Sequence, residues 1–116
     1  MFFTIFTYSD HRIPQIFKAQ GDYATALDYL KQSLTIQQQI GDSAGLCVTL
    51  FNMGFVYIQN EQQQEAYSTW VNSYLIAKKI NYYQVLEALK NLAPQLGLSE
   101  GLAGWEDLAN RMQKAE

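Results

Sequence analysis

Two stretches decide the fold of this chain: GDYATALDYLKQSL at residues 21–34 and EQQQEAYSTWVNSY at residues 61–74. At a spacing of 40 residues they align residue for residue, which places Ala26 on Ala66, Leu30 on Trp70 and Ser33 on Ser73. A small residue, a large apolar one four positions later and a small one three positions after that share one face of a helix. A period of this length predicts stacked supersecondary units, which usually form binding surfaces rather than catalytic sites.

The composition bounds the size and the partner class of the molecule. A length of 116 residues fits one domain at most. The chain is 48% hydrophobic and 14% aromatic, so it can build a core. Its formal net charge is −3, and its eight Lys and Arg residues are scattered apart from the pair Lys78-Lys79. Because nucleic-acid binding needs a cluster of positive charge, this class of partner is not expected.

The cysteine count and the hydropathy pattern predict a cytoplasmic protein. A single cysteine, Cys47, excludes an internal disulfide framework and fits a reducing compartment. The apolar start at residues 1–8 lacks a basic region and a cleavage site, so we expect no signal peptide. No apolar run approaches 18 residues, so we expect neither a transmembrane helix nor a membrane partner.

Apolar periodicity and capping residues predict six helices after an irregular segment at residues 1–12. The helices cover about residues 13–19, 23–40, 44–59, 62–80, 82–96 and 100–113. Asp42 or Ser43 is expected to cap the third helix, and Gly41 and Asn81 to close the second and fourth. Pro94 should shorten or kink the fifth helix, and Ser99 should cap the sixth.

The middle of the chain resembles a tetratricopeptide repeat, in the 40-residue variety of kinesin light chains and many bacterial arrays. The first-helix signature of that family is supplied by Asn52-Met53-Gly54 and Tyr57. The second-helix signature is supplied twice, by Tyr23, Ala26, Leu30 and Ser33 and by Ala66, Trp70 and Ser73. The resemblance covers about residues 13–98. It implies an all-α, right-handed superhelix of about three antiparallel helix pairs, of which the first and last are degenerate. The pairs are expected at about residues 13–41, 42–81 and 82–114, within one domain that covers residues 13–116.

The resemblance also implies a concave groove lined by the first helix of each pair. The residues expected there are Val48, Phe51, Asn52, Phe55, Gln59, Glu87, Lys90 and Asn91. Phe51 and Phe55 lie outside the buried stripe formed by Leu50, Met53, Val56 and Tyr57. They form either a hydrophobic groove for a partner or a patch that neighbouring helices cover. Asn52 and Asn91 either bond the backbone of an extended peptide or remain solvated.

The predicted function is a non-catalytic module that binds a protein or peptide in this groove. The alternative is self-assembly, as a dimer or domain-swapped scaffold fragment of a longer array, because array ends expose apolar stacking faces. No cofactor and no metal are expected, since His11 is the only histidine of the sequence and Cys47 its only cysteine. Cys47 lies near a helix start, which lowers a thiol pKa, but a buried and inert thiol is the favoured interpretation.

Overall fold

The computed structural model describes residues 23–98 and 101–114. Within those ranges every regular element is helical: α1 (Tyr23–Ile40), α2 (Ser43–Gln59), α3 (Gln63–Ile80), α4 (Tyr83–Leu92), a 3-10 turn (Ala93–Leu96) and α5 (Gly101–Lys114). The all-α helical repeat predicted from the sequence is therefore confirmed. The predictions for residues 1–12, for the helix at 13–19 and for a cap at Ser99 lie outside the described residues.

The turns between the helices follow from local capping chemistry. The carboxylate of Asp42 accepts a hydrogen bond from the backbone N–H of Gly45 at 2.9 Å, so Asp42 rather than Ser43 caps α2. Gly41 ends α1 with a φ of 72°, and Asn81 ends α3 with a φ of 58°. Both residues lie in the left-handed region of backbone conformation, which glycine and asparagine adopt with less strain than other residues. These closures make consecutive helices antiparallel neighbours.

Pro94 ends the fourth helix early, as predicted. The α-helical part of this segment stops at Leu92, and the backbone then tightens into the 3-10 turn that contains Pro94. Proline cannot donate the N–H that a continuing helix needs, which explains the change. Gly97, with a φ of 76°, closes the turn before the chain reaches α5.

Among the described residues, two clusters of buried side chains hold the helices together. A small cluster between α1 and α2 consists of Ala26, Leu30, Met53 and Val56. A larger one joins α2, α3, α4 and α5 and contains both tryptophans. The larger cluster therefore joins four of the described helices in one core.

The repeated small–large–small pattern has a direct structural explanation in the α2–α3 pair. Trp70 of α3 is fully buried, and its indole N–H donates to the carbonyl oxygen of Phe51 in α2 at 3.0 Å. A Cβ atom on Gly54 would lie 2.2 Å from the indole nitrogen, so only glycine leaves room for the ring. One turn further along α3, the Ser73 hydroxyl donates to the carbonyl oxygen of Cys47 at 2.7 Å. The pattern thus marks a close helix–helix contact.

The C-terminal helix repeats this contact with a second indole. Trp105 of α5 is fully buried, and its N–H donates to the carbonyl oxygen of Leu89 in α4 at 2.6 Å. Its ring meets that of Trp70 edge to face at 6.1 Å between centroids. The two tryptophans therefore link α3 and α5 through one aromatic contact.

Candidate functional site

Two of the residues predicted to line the concave groove are not on the surface. Phe51 and Phe55 are buried in the larger core cluster, with their rings edge to face at 4.9 Å. Phe55 also packs edge to face against Trp70 at 5.1 Å. The expectation of an uncovered phenylalanine patch is wrong, and the competing interpretation, that neighbouring parts of the protein cover both rings, is correct.

Asn52 lies between these phenylalanines in sequence and is 4% exposed. In the described part of the chain its Oδ1 atom has no hydrogen-bond partner. Burying an acceptor without a partner costs about 1–3 kcal/mol, so this amide is a destabilising feature of α2. Val48 and Gln59, also predicted for the groove, are half-buried on the same helix.

The remaining predicted residues form an exposed row on α4. Glu87, Lys90 and Asn91 are all exposed, and their spacing of three and four residues places them on one helix face. This row is polar and carries one charge of each sign. It can offer hydrogen bonds to a ligand but little apolar contact.

A groove that the sequence did not predict opens between α2, α3 and α5. Its volume is about 610 Å³, within the size range of protein binding sites. Its lining residues are Tyr57, Gln64, Glu65, Tyr67, Ser68, Thr69, Leu108 and Met112. We call this feature the tyrosine groove. Among the described residues of its lining, Glu65 is the charged one, so this part of the groove combines aromatic and aliphatic surface with a negative charge.

The tyrosine groove continues along the seam between α3 and α5. A neighbouring pocket of about 230 Å³ shares Ser68 and Met112 with it and extends to Leu75 and Gln113. Leu108 and Met112 have the helical spacing of core residues, and both also pack against the larger core cluster. Periodicity assigns them to the interior correctly but gives no sign that part of each side chain lines a groove.

A polar contact holds α5 against α3 beside this seam. The Tyr74 hydroxyl donates to Oε1 of Glu106 at 2.6 Å, and Nζ of Lys78 lies 2.8 Å from the same oxygen. Burial, and then the hydrogen bond and negative charge of Glu106, raise the pKa of Tyr74 to about 12. The hydrogen bonds from Lys78 and from Tyr74 lower the pKa of Glu106.

In the ranges 23–98 and 101–114, the residues that could support catalysis or metal binding do not gather into one site. Cys47 is fully buried, and its thiol donates to the carbonyl oxygen of Ala44 at 3.2 Å. Burial raises the pKa of this thiol to about 11 despite its place near the start of α2. Among the described residues, no three His, Cys, Asp or Glu side chains gather closely enough to hold a metal ion. Within the same ranges, no helix combines the length and the apolar character that crossing a membrane requires.

Comparison with known proteins gives one family. Residues 11–69, a little over half of the chain, match the family model described as Tetratricopeptide repeat. The matched region contains the first copy of the small–large–small pattern and the Asn52-Met53-Gly54 triplet, and it ends within the second copy, between Ala66 and Trp70. Searches of curated proteins and of solved structures gave no match.

Proposed function

Because the chain belongs to the tetratricopeptide repeat family, we propose that it is a non-catalytic module that holds a peptide or a helix of a partner protein. Proteins of this family generally mediate protein–protein interactions. The dispersed carboxylates and the inert thiol offer no competing chemistry in the described part of the chain. A cytoplasmic setting is the accompanying prediction, supported by the single free cysteine.

The observation that carries this proposal is the tyrosine groove. Tyr57, Tyr67, Leu108 and Met112 leave apolar surface in an open concavity, although each also packs against the core. Apolar surface of this kind with a polar rim is typical of sites that accept an apolar side chain of a ligand. The Glu65 carboxylate at the rim favours a segment that carries Lys or Arg next to its apolar anchor.

A second surface for the same function is the predicted concave face. The observation that favours it is the unpaired Oδ1 of Asn52, since an N–H from a bound backbone would supply the missing hydrogen bond. Glu87, Lys90 and Asn91 would add polar contacts from α4. A ligand at this face has to reach an atom that is inaccessible in the free chain, so we rank it below the tyrosine groove.

Peptide selection tests the function and the site together. The full chain would be used to select binders from a random peptide library, and a selected peptide would then be labelled for fluorescence polarisation. Ser68→Arg fills the tyrosine groove, Asn91→Arg changes the concave face, and Gln38→Arg makes the same kind of substitution on exposed α1. We expect Ser68→Arg to weaken binding at least about tenfold and the other two to leave it unchanged.

Each other outcome has a definite meaning. Loss of binding in Asn91→Arg alone would place the site on the concave face and keep the function. Equal weakening by all three variants would indicate a non-specific electrostatic effect and would overturn the site assignment. A library that yields no saturable binder would overturn the proposed function itself.

A further inference from the structure

The tyrosine groove and its neighbouring pocket adjoin each other along α3. Ser68 and Met112 line both concavities, so the two share a wall at this point. On α3 the tyrosine groove covers positions 64–69 and the neighbouring pocket covers positions 68–75. Their centres lie about five residues apart on the helix, which is a distance of about 7 Å along its axis. We call the two concavities together the α3–α5 seam.

The backbone of the seam favours a helix as its ligand. From Tyr67 to Leu75 the described lining belongs to the interior of α3, where the backbone N–H and C=O groups bond each other. An extended peptide that lay against this stretch would find no backbone partner there, and its own N–H and C=O groups would lose their hydrogen bonds to water. A helix pairs its own backbone groups internally, so only its side chains need to fit the seam.

The charged residues near the two ends of the seam have opposite signs. Glu65 and Lys79 are both exposed, and their spacing of two heptads puts them on one face of α3. The ion pair with Glu106 is made by Lys78 rather than by Lys79. A helix that lies along the seam therefore meets a negative charge at one end and a positive charge about 21 Å away. A ligand about four turns long with the opposite charge at each end would be complementary to it.

This charge pattern favours a partner protein over the segments of the chain that precede α1. Residues 11–22 lie within the matched family region, which assigns them to the first repeat together with α1. Residues 1–10 contain no Lys or Arg side chain that could face Glu65. The complementary ligand is therefore a helix of another protein.

We propose that the α3–α5 seam binds one amphipathic helix of a partner protein through two apolar side chains at positions i and i+4. A basic residue of this helix faces Glu65, and an acidic residue faces Lys79. The i to i+4 spacing spans about 6 Å along a helix, which matches the separation of the two concavities. This inference rests on the proposed peptide binding, and it specifies the conformation, the anchor spacing and the charge pattern of the ligand.

Two random peptide libraries test the conformation of the ligand. Both have peptides of about 16 residues, long enough for four helical turns. One library randomises a single face of an alanine–glutamine helix, and the other carries proline at every fourth position, which prevents helix formation. Binders to the full chain would be selected from each and measured by fluorescence polarisation. We expect saturable binders from the helical library, enriched in an apolar pair at i and i+4, and none from the proline library.

Substitutions along the seam test where the helical peptides bind. Ser68→Arg obstructs the shared wall and Asn72→Arg the neighbouring pocket, and each should weaken binding at least about tenfold. Gln38→Arg, on exposed α1, is the matched control and should change nothing. Glu65→Lys should weaken binding about two- to fivefold, and a peptide whose facing basic residue is changed to Glu should recover this loss. Lys31→Glu, also exposed on α1, is the control for charge reversal.

The other end of the seam is tested in the same way. Lys79→Glu should weaken the same peptides about two- to fivefold, with recovery when the facing acidic residue of the peptide is changed to Lys. Circular dichroism would verify that each variant is folded. Charge reversals without effect at both ends would overturn the proposed charge pattern.

The remaining outcomes separate this inference from the proposed function. Binders from the proline library alone, weakened by Ser68→Arg, would overturn the helical ligand and keep the function. Weakening by Ser68→Arg without weakening by Asn72→Arg would confine the ligand to the tyrosine groove and overturn the two-anchor arrangement. Two libraries without a saturable binder would overturn the inference and the function together.

Two other occupants of the seam would also be revealed. An oligomer of the free chain, detected by light scattering and dissociated by Asn72→Arg, would show that a second copy fills the seam. A gain of at least about tenfold in peptide affinity when Phe3 and Phe6 are both changed to Ser in the full chain would show that residues 1–10 fill it. Either result would overturn the assignment of the seam to a partner protein.

Discussion

The indole nitrogen of Trp70 lies 3.0 Å from the carbonyl oxygen of Phe51, and its ring occupies the space beside Gly54. A carbonyl oxygen has two lone pairs, so Phe51 can accept this bond in addition to one within its helix. The hydrogen bond fixes the orientation of one of the two tryptophan side chains in the core. It also fixes the distance between α2 and α3, which explains why a glycine and a tryptophan occur together in this pair.

Gly54→Ala should destabilise the fold, although alanine is the better helix former by about 1 kcal/mol. The added Cβ would lie 2.2 Å from the Trp70 nitrogen, and overpacking of this kind typically costs about 1–3 kcal/mol. The hydrogen bond holds the Trp70 ring in place, so the ring cannot move away without losing this bond. The cost of the steric clash is therefore larger than the gain in helix propensity. Denaturant unfolding followed by circular dichroism measures the change. Ser68→Ala, on an exposed position of α3, is the control, and a midpoint for Gly54→Ala at or above that of the unaltered chain would contradict the packing argument.

Asn52→Leu should stabilise the free chain by about 1 kcal/mol, because a buried acceptor without a partner is replaced by an apolar group of similar shape. The exposed Asn72 offers a matched control, since Asn72→Leu removes no buried polar atom. Thermal unfolding of both variants measures the difference. A lower melting temperature for Asn52→Leu would show that the amide makes a favourable interaction in the folded chain. It would contradict the conclusion that Oδ1 of Asn52 has no hydrogen-bond partner there.

The fold of the described residues could be predicted because its causes are local. The predicted bounds of α1 match the structure, and those of α2 and α3 differ by one residue at the start. Gly41, Asp42 and Asn81 act at these ends through their own backbone and side-chain chemistry. Pro94 shortened α4 for the same kind of reason. A residue that starts or ends a helix through contacts within one helical turn can be identified from the sequence, because its effect does not depend on which distant side chains pack against it.

The site could be predicted only in part, because exposure depends on neighbours distant in sequence. Phe51 and Phe55 lie off the main apolar stripe of α2, and the sequence left open whether they are covered. The structure buries both beside Trp70. The tyrosine groove was missed because it joins residues of α3 to Leu108 and Met112, about 40 positions later. Helical periodicity describes one element and contains no information about the gap between two.

Cys47 should be unreactive in the folded protein. Its thiol is fully buried, and desolvation raises its pKa to about 11, so very little thiolate exists at neutral pH. A chromogenic disulfide reagent should detect no thiol in native protein and one thiol per chain in concentrated guanidinium chloride. Ser68→Cys supplies an exposed thiol as the positive control. Rapid modification of Cys47 under native conditions would show that α2 and α3 separate often enough to admit the reagent.

The contact of Tyr74 with Glu106 predicts a loss of stability in alkali. Folding raises the pKa of Tyr74 from its ordinary 10.0 to about 12, so the folded chain holds this proton more tightly than the unfolded one. The resulting stabilisation is complete below pH 10 and is lost as the pH rises through about 12. Glu106 acts in the opposite sense, because its lowered pKa stabilises the fold at neutral pH and this contribution disappears in acid.

Tyrosinate absorbance measures this effect directly, as the difference between the unaltered chain and Tyr74→Phe during titration. We expect the difference to report one group that ionises near pH 12. Glu106→Gln removes the negative charge but keeps an acceptor, so it should move the Tyr74 pKa only part of the way back toward 10, since burial is the largest cause of the shift. A Tyr74 that titrates at its ordinary value in the unaltered protein would mean that α5 is not held against α3 in solution.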